Sequence, residues 1–314
     1  MKLGRFVYDK PVMVLAPMAG VSDLPFRRLC QQFGADYTVA EMVSAKPDLL
    51  STELSQKRLS FDDDASRPKI VQLLGADKAL MIDAAQMLEA KGIDVLDINM
   101  GCPAKRVGKD CAGSALLADV KRVGELLKAL CEAVKIPVTL KTRLGFDDNT
   151  AIFRVGQLAE EAGVVAIALH GRTRSQRFTG TVDYHMMGKF AEQSALPVIA
   201  NGDIVSPEQA QNLLSLYPFA GIMIGRAAQG NPHLFAKCQN LINDKALCTQ
   251  LTRQHIISHI SALHQHYGMQ GILIARKHLH HYLRDNAHYH ELQPRINEAQ
   301  TSLEQLALLD YWED

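Results

Sequence analysis

The stretch Ile93-Asp94-Val95-Leu96-Asp97-Ile98-Asn99-Met100-Gly101-Cys102-Pro103 contains an apolar run that changes abruptly into polar and reactive residues. The apolar part, residues 93–98, has the length and composition of a buried strand. Where the backbone turns after it, Gly101 permits close approach of another backbone or of a ligand. Cys102 is therefore a candidate for chemistry, although most free cysteines are small core residues. This stretch alone favours neither interpretation.

The same pattern, a short apolar segment that ends in a polar residue or a glycine, recurs along the chain. Seven further segments have it: residues 12–16, 37–40, 70–71, 138–140, 165–169, 198–200 and 222–224. The sequence between successive segments leaves room for one helix, and helical periodicity is clear at 79–90, 120–134, 153–162 and 207–216. Eight strand–helix units without hairpin signals predict a parallel (β/α)8 TIM barrel, a fold of typically about 250 residues.

The pattern changes in the last quarter of the chain. From about residue 241 onward only helical periodicity is found, at 251–267, 273–284 and 295–309. We therefore predict a barrel domain over residues 1–240 and a small helical domain over residues 241–314. No low-complexity linker separates them, so we expect the helical domain to pack on the barrel in a fixed arrangement.

Composition limits the class of protein. The chain has 314 residues, 47% of them hydrophobic and 22% charged, and its formal net charge is zero. A surface that binds nucleic acid would therefore have to be local. The six cysteines form no CxxC pair, which argues against a zinc site and a disulfide framework and favours a reducing cytoplasm. The first ten residues lack the apolar core of a signal peptide, and no run of 18 apolar residues is present, so we expect no membrane association.

The ends of the last two predicted strands have the composition of a phosphate site. Asn201-Gly202-Asp203 follows the seventh strand, and Gly225-Arg226 follows the eighth. Barrels commonly bind phosphate at this location through backbone N–H groups, and a guanidinium matches phosphate oxygens. The alternative is that the glycines only make tight turns. Their position in the barrel favours phosphate.

The other strand ends suit a flat, electron-accepting ring such as a flavin. They carry an apolar shelf, an amide, a cation and an imidazole: Pro17-Met18-Ala19, Gln72, Lys141 and His170. A lysine beside the pyrimidine edge of a reduced flavin would stabilise its negative charge. Alternatively, Lys141 forms a structural ion pair with a carboxylate such as Glu41 or Asp97.

Several motifs together identify a family that the chain resembles. They include Leu15-Ala16-Pro17-Met18-Ala19-Gly20, Val71-Gln72-Leu73-Leu74-Gly75, Asp97-Ile98-Asn99-Met100-Gly101-Cys102-Pro103, His170-Gly171-Arg172-Thr173-Arg174, Met223-Ile224-Gly225-Arg226-Ala227 and Ile274-Ala275-Arg276-Lys277-His278. These closely resemble the tRNA-dihydrouridine synthases, and most of all the bacterial B-type enzymes. The resemblance spans the barrel and continues into the helical domain. No signature residue is missing, and Cys111 matches no motif of the family.

The resemblance implies a reaction and a set of roles. Family members use FMN and NADPH to reduce one uracil double bond in the D-loop of tRNA. The positions that match the FMN-binding residues are Pro17, Met18, Ala19, Gln72, Lys141, His170, Asn201, Gly202, Asp203, Gly225 and Arg226. Hydride passes from flavin N5 to uracil C6, and Cys102 matches the acid that protonates C5. A free thiol is largely protonated at neutral pH, as a proton donor requires. Asn99 and Arg143 would read or polarise the uracil, which must be flipped out of its stack.

Two basic segments are candidates for contact with RNA. In the loop after the sixth strand we expect contact with phosphates and bases from Arg172, Arg174, Arg177 and Phe178, whereas the alternative is a solvated loop. In the helix that follows residue 275, helical spacing allows a basic strip of Arg276, Lys277, His280, His281 and Arg284. A metal site at His278, His280 and His281 is less favoured, because no carboxylate or cysteine completes the set, and we expect no metal.

Two rival functions remain open from the sequence. An FMN-dependent barrel oxidoreductase that acts on a small pyrimidine would share the phosphate site and the lysine, but it has no need of the helical domain or the arginine loop. A non-catalytic RNA-binding protein would keep the basic helix but has no use for Cys102 and Lys141. The expected partner is tRNA, and no stable protein partner is implied. The sequence does not indicate which uridine is reduced, which nicotinamide cofactor is preferred or how the protein oligomerises.

Overall fold

A computed structural model describes residues 1–104, 107 and 111–312. Its main sheet consists of parallel strands: β3 Val12–Leu15, β4 Tyr37–Thr38, β5 Val43–Ser44, β6 Ile70–Leu74, β7 Val95–Met100, β8 Val138–Arg143, β9 Ala166–His170, β10 Val198–Asn201 and β11 Gly221–Ile224. The spatial order is β4-β3-β11-β10-β9-β8-β7-β6-β5. A parallel bridge from Val39 to Ile70 closes the ring, so β4 and β5 are two halves of one barrel strand. The predicted (β/α)8 barrel is confirmed.

Most of the helices pack around the sheet through one apolar face, and several also have a side-chain cap at their start. They are α1 Leu24–Gln32, α2 Pro47–Leu50, α3 Glu53–Arg58, α4 Lys78–Ala90, α5 Val120–Ala133, α6 Ala151–Ala162, α7 Tyr184–Gln193, α8 Pro207–Leu216 and α9 Leu234–Asn243. Side chains of Asp23, Asp77, Asp119, Asp183 and Ser206 accept hydrogen bonds from backbone N–H groups of the first turn. Such caps commonly stabilise a helix by about 1 kcal/mol.

The chain begins with a hairpin that the sequence pattern did not reveal. Strands β1 Lys2–Leu3 and β2 Phe6–Val7 pair antiparallel, and Gly4 in the turn has φ +59°. Leu3 is buried among the apolar side chains that fill the barrel interior, next to Val12 and Ile70 at the beginnings of their strands. The hairpin therefore covers the end of the barrel opposite the strand carboxyl termini.

The C-terminal part is helical, as predicted, but its last helix is not continuous. The helices are α10 Arg253–Tyr267, α11 Met269–Leu283, α12 Tyr289–Glu298 and α13 Ser302–Ala307. A single helix over residues 295–309 was the wrong prediction. Ala299 turns extended (φ −52°, ψ 124°), and Thr301 then starts a new helix through a capping box with Glu304.

The helical part packs on the barrel through α1. Leu29 of α1 and Phe33, its C-cap, lie in one apolar cluster with Ile256, Ile260 and Leu279 of the C-terminal helices. The last barrel helix, α9, ends at Asn243, so the predicted domain boundary at residue 240 falls within it. Among the described residues, none of the helices is long and apolar enough to cross a membrane.

Candidate active site

A cavity of about 710 Å³ opens at the carboxyl ends of the barrel strands. Its volume lies in the range of about 300–1,000 Å³ that is usual for small-molecule and cofactor sites. All eleven residues assigned above to FMN binding line it, together with Cys102, Asn99, Arg143 and Arg284. Gln72, Asn99, Lys141, His170 and Asn201 lie near the carboxyl ends of β6 to β10, within these strands rather than after them.

Lys141 is the buried cation of this cavity. Its Nζ donates to Asn201 Oδ1 at 2.9 Å, and Asn201 in turn donates to the backbone oxygen of Met223 at 2.8 Å. Burial and the charge of Arg143 together lower the pKa of Lys141 to about 8, while Asp97 opposes the shift. The hydrogen-bond partner of Lys141 is a neutral amide, not the carboxylate that a structural ion pair would supply. Its positive charge is therefore available to a ligand.

His170 presents an unused acceptor to the same cavity. Its Nδ1 lies 3.2 Å from Asn201 Oδ1, and since that oxygen can only accept, Nδ1 carries the hydrogen. Burial and the nearby Lys141 and Arg143 lower the pKa of His170 to about 3, so the ring is neutral. Its Nε2 is buried, without a hydrogen-bond partner, and therefore a bare acceptor. A hydroxyl group of a bound ligand would satisfy it.

The predicted phosphate site lies where β10 and β11 end. Gly202 has φ +125° and Asp203 has φ +45°, so the chain turns sharply here. Asp203 accepts hydrogen bonds from Arg172 and, at 2.7 Å, from Arg226, and the bond from Arg172 lowers the pKa of Asp203. The side chain of Arg226 is 60% exposed. One carboxylate thus orients two guanidinium groups, which leaves a net positive charge beside the turn.

The segment directly after β7, residues 101–103, which we call the Cys102 loop, is held by hydrogen bonds to three side chains. Asn99 Oδ1 accepts from the backbone N–H groups of Gly101, at 3.1 Å, and Cys102, at 3.0 Å. Arg143 Nε donates to the oxygen of Gly101 at 2.7 Å, and Ser114 Oγ donates to the oxygen of Cys102 at 2.8 Å. Cys102 itself is partly exposed and lines the cavity. The motif Ala112-Gly113-Ser114-Ala115-Leu116 also matches the family, but the sequence assigned Ser114 no role, because it lies in a separate 3-10 helix, Gly113–Ala118.

Arg143 has a structural use in addition to its expected contact with uracil. It is 2% exposed, and its Nη1 donates to the backbone oxygens of Thr173, at 3.0 Å, and Arg177, at 2.7 Å. Together with the bond to Gly101, these contacts tie the Cys102 loop to the arginine loop. The exposed ring of Phe178 lies between Arg143 and Arg226, with its centroid 5.4 and 5.1 Å from the two guanidinium carbons.

The three arginines of the loop differ in exposure. Arg177 is exposed, and Arg174 stacks on Phe146 at 4.5 Å. Arg172 is 2% exposed, and it donates to the oxygen of Gly180 and to Asp203. This placement does not support the predicted contact of Arg172 with RNA, because its guanidinium is buried and engaged by the protein.

The basic residues of α11 do not form one continuous strip. Arg276 donates to the backbone oxygen of Ala299 at 3.0 Å, so it faces the C-terminal helices. Lys277 faces the barrel, where the pKa of its ammonium is lowered by burial and raised in part by Asp23 and Glu41. Arg284 is exposed and lines the cavity. Helical spacing alone could not reveal which neighbours cover each side chain.

The histidines of α11 have separate surroundings. His280 contacts Tyr289 and Asn297 at 3.0 Å each, whereas His278 is fully buried against Phe26, with ring centroids 5.3 Å apart. The backbone oxygen of His281 lies against Gly230. Within the described ranges, no group of three histidine, cysteine or acidic residues could hold a metal ion.

Comparison with known proteins identifies relatives over the full length. The family model described as "Dihydrouridine synthase (Dus)" matches residues 14–313. A protein of Vibrio parahaemolyticus named tRNA-dihydrouridine synthase B is 41% identical, over 100% of this chain and 99% of the relative. A protein of the same name from Pseudomonas syringae pv. tomato is 44% identical, over 86% of this chain and 82% of the relative. The family resemblance drawn from the motifs is confirmed.

Comparison with solved structures supports the fold. The crystal structure of the Amycolatopsis orientalis BexX/CysO complex contains a chain that matches with a TM-score of 0.51 and 18% identity, over 78% of this chain and 92% of that one. At this identity the likeness concerns the fold alone.

Proposed function

The chain belongs to the dihydrouridine synthase family, and from that premise we propose that it reduces the C5–C6 double bond of a D-loop uridine in tRNA with FMN and NADPH. The observation that carries this proposal is the convergence on one cavity of a thiol, a buried cation and a guanidinium beside a sharp turn: Cys102, Lys141 and Arg226. A tRNA-modifying reductase of this kind would work in the cytoplasm.

The cavity fits FMN by the chemistry of its walls. Arg226 and the turn at Gly202 would hold the phosphate, and the bare Nε2 of His170 would accept from a ribityl hydroxyl. An apolar shelf for the ring is supplied by Pro17, Met18 and Ala19. Lys141 would compensate the negative charge of the reduced pyrimidine edge. FMN bound here and reduced by NADPH would supply the hydride that adds to uracil C6.

Cys102 would complete the reduction by giving its proton to C5. Two C–H bonds then replace the double bond, and the thiolate regains a proton from solvent. The loop bonds from Asn99, Arg143 and Ser114 fix the backbone of Cys102, so the thiol is presented from a held position. General acid catalysis by a positioned group commonly contributes about 10²–10⁴-fold. Asn99 and Arg143, which line the cavity, would contact the uracil edge.

The tRNA would be bound by exposed cations around the mouth of the cavity. Arg177 and Arg284 are exposed, and Arg174 is half-buried, so these are the residues we assign to phosphate contacts. Arg172 would act by orienting Asp203, and Arg276 and Lys277 by holding α11 in place. The target base must leave its stack to enter the cavity.

The direct experiment is to incubate the purified chain with unmodified tRNA, FMN and NADPH, and to quantify dihydrouridine in the tRNA by mass spectrometry. We expect dihydrouridine at one position or a few positions in the D-loop. Reduction of free uracil, with no product in tRNA, would instead support the small-molecule oxidoreductase. A protein that binds tRNA but retains no flavin would support the non-catalytic alternative.

A further inference from the structure

A buried carboxylate lies in the barrel beneath the cavity and has no place in the reaction described above. Asp97 is 4% exposed, and it does not line the cavity. Barrel interiors are usually filled with branched apolar side chains, and a buried charge without a close ion-pair partner is costly. Burial raises the pKa of Asp97 to about 6, while hydrogen bonds from Gln72 and Thr139 and the charge of Lys141 oppose the rise. Because burial of the Asp97 carboxylate is unfavourable, we looked for a role that it has in the site.

Asp97 is connected to the Cys102 loop through two side-chain amides. Gln72 and Asp97 are direct register partners on β6 and β7, and Gln72 Nε2 donates to Asp97 Oδ2 at 2.7 Å. Asn99 Nδ2 then donates to Gln72 Oε1 at 2.7 Å. Asn99 Oδ1 accepts from the N–H groups of Gly101 and Cys102. The chain of bonds therefore runs without a gap from the barrel interior to the residue that carries the thiol.

The direction of these bonds follows from the charge of Asp97. An ionised carboxylate can only accept, so Gln72 must turn its NH2 group toward Asp97 and its oxygen toward Asn99. Asn99 must then donate to Gln72, which leaves its oxygen for the two backbone N–H groups. The second N–H of Gln72 is left for a ligand in the cavity that Gln72 lines. Without an anion at this place, either amide could rotate by half a turn.

We propose that Asp97 is a positioning residue whose buried negative charge orients the side chains of Gln72 and Asn99 and thereby holds the Cys102 loop. The benefit to catalysis rests on the proposed function, but the effect on the loop does not. Thr139, which donates to the other oxygen of Asp97 at 2.8 Å, lies outside this connection and provides a matched control.

The test is hydrogen–deuterium exchange of the Gly101 and Cys102 amides in the full chain as purified, resolved by fragmentation mass spectrometry. In Asp97→Leu we expect these amides to exchange about 10-fold faster, corresponding to one weakened hydrogen bond of about 1.4 kcal/mol. In Thr139→Val, measured at about pH 8 so that Asp97 stays ionised without this hydrogen bond, the exchange should match the wild-type protein.

A double variant, Asp97→Asn with Gln72→Glu, moves the carboxylate from β7 to the facing position on the neighbouring strand β6. At position 72 it can accept from Asn99 and from the amide introduced at position 97, so Asn99 keeps its orientation. Exchange of the two loop amides should therefore return to within about twofold of wild type.

Unchanged exchange in a folded Asp97→Leu protein would overturn the proposal, and so would fast exchange in the double variant. If Asp97→Leu does not fold, the double variant decides alone: slow exchange supports the proposal, and fast exchange or failure to fold contradicts it. A merely structural carboxylate would not be replaced by one at position 72. Because neither tRNA nor turnover enters the measurement, its failure is distinct from failure of the proposed function.

Discussion

The barrel mouth and the interface between α1 and the C-terminal helices both bury polar side chains, but the two regions differ in how these side chains are hydrogen-bonded and in whether they reach the cavity. At the mouth, Asn201 joins Lys141 and His170 in one connected set of hydrogen bonds that opens onto a cavity. At the interface, several buried polar atoms lack partners and, unlike His170 Nε2, do not line that cavity, among them Asp23 Oδ2, Arg27 Nη1, His259 Nε2 and both ring nitrogens of His278. The two histidine rings pack against the ring of Phe26 instead.

The difference shows under which conditions a buried side chain keeps its charge at neutral pH. Lys141 keeps a pKa of about 8, so it remains largely charged at neutral pH. At the interface, burial lowers the pKa of His259 to about 3, so its ring is neutral, and raises that of Asp23 to about 7, so its charged form is disfavoured relative to an exposed carboxylate. A cluster of histidines in the sequence is therefore not in itself a sign of metal or RNA binding, since here it forms a neutral packing surface.

The largest effect is expected from Cys102→Ala. Loss of the proton donor should slow dihydrouridine formation by about 100-fold or more, while flavin content and NADPH oxidation stay near the wild-type level. Cys111→Ala, at an exposed cysteine with no assigned role, is the matched control. Single-turnover assays with excess enzyme would measure both. Normal turnover in Cys102→Ala would remove that residue from its role.

Variants at the cofactor contacts should have the next largest effect. Arg226→Ala would remove a hydrogen bond to the phosphate of FMN, and Asn201→Ala removes the hydrogen bond to the ammonium of Lys141. A hydrogen bond to a charged group is worth about 1.5–3 kcal/mol, so FMN affinity should fall by about 10–100-fold in each variant. His278→Phe changes a buried polar residue of the interface instead and should leave FMN affinity unchanged. Titration of the apoprotein by flavin fluorescence checks all three. Full flavin retention in both cofactor variants would show that the phosphate site is misplaced.

The neutral histidines of the interface predict a specific acid sensitivity. Because the pKa of His278 is lowered in the fold, the unfolded chain binds one proton more below about pH 6.5. His278 therefore does not lower the free energy of unfolding above that pH. As the pH falls below it, the free energy of unfolding decreases by about 1.4 kcal/mol per pH unit because of this residue. Asp23, whose pKa is raised, acts with the opposite sign, so the comparison must be between two proteins.

His278→Phe provides that comparison. The difference in unfolding free energy between this variant and the wild-type protein should grow in favour of the variant by about 1.4 kcal/mol per pH unit below about pH 6.5. Urea unfolding at a series of pH values would measure it. A difference that does not depend on pH would show that folding does not lower the pKa of His278.

The smallest effect is expected from the tRNA-binding surface. Arg177→Glu with Arg284→Glu should leave FMN affinity unchanged and reduce the slope of log affinity against log salt by about 2, one unit for each lost phosphate contact. Arg154→Glu with Lys189→Glu places the same charge change on exposed positions of α6 and α7. Lys277→Glu is less suitable, because it would put a third carboxylate near Asp23 and Glu41. Equal slopes in the two double variants would contradict the assignment.

The sequence predicted the barrel and the residues around its cavity well, for physical reasons. Each barrel strand is a short apolar run, and its polar end lies at the mouth because the strands are parallel. The hairpin at Lys2–Leu3 and Phe6–Val7 was missed, since strands of two residues show no periodicity. The break at Ala299 was missed, because apolar spacing continues across it and only the capping box at Thr301 marks the new helix.

Side-chain surroundings were the part that sequence could not supply. Arg172 and Lys277 have the spacing of surface cations, but each turns toward a carboxylate of a distant segment. The connection from Asp97 through Gln72 to Asn99 joins two strands that are far apart in sequence but adjacent in the barrel. Alternation along β7 places Asp97 and Asn99 on one face, yet it cannot show which amide faces the carboxylate.

The most direct measurement of the central claim is anaerobic reoxidation of the flavin after reduction by one equivalent of NADPH. We predict rapid reoxidation on addition of unmodified tRNA, with dihydrouridine formed in equal amount, and little with free uridine or with tRNA that already carries dihydrouridine. Reoxidation at the same rate by free uridine and by tRNA, or no reoxidation by unmodified tRNA, would contradict the claim that the barrel mouth reduces a uridine of tRNA.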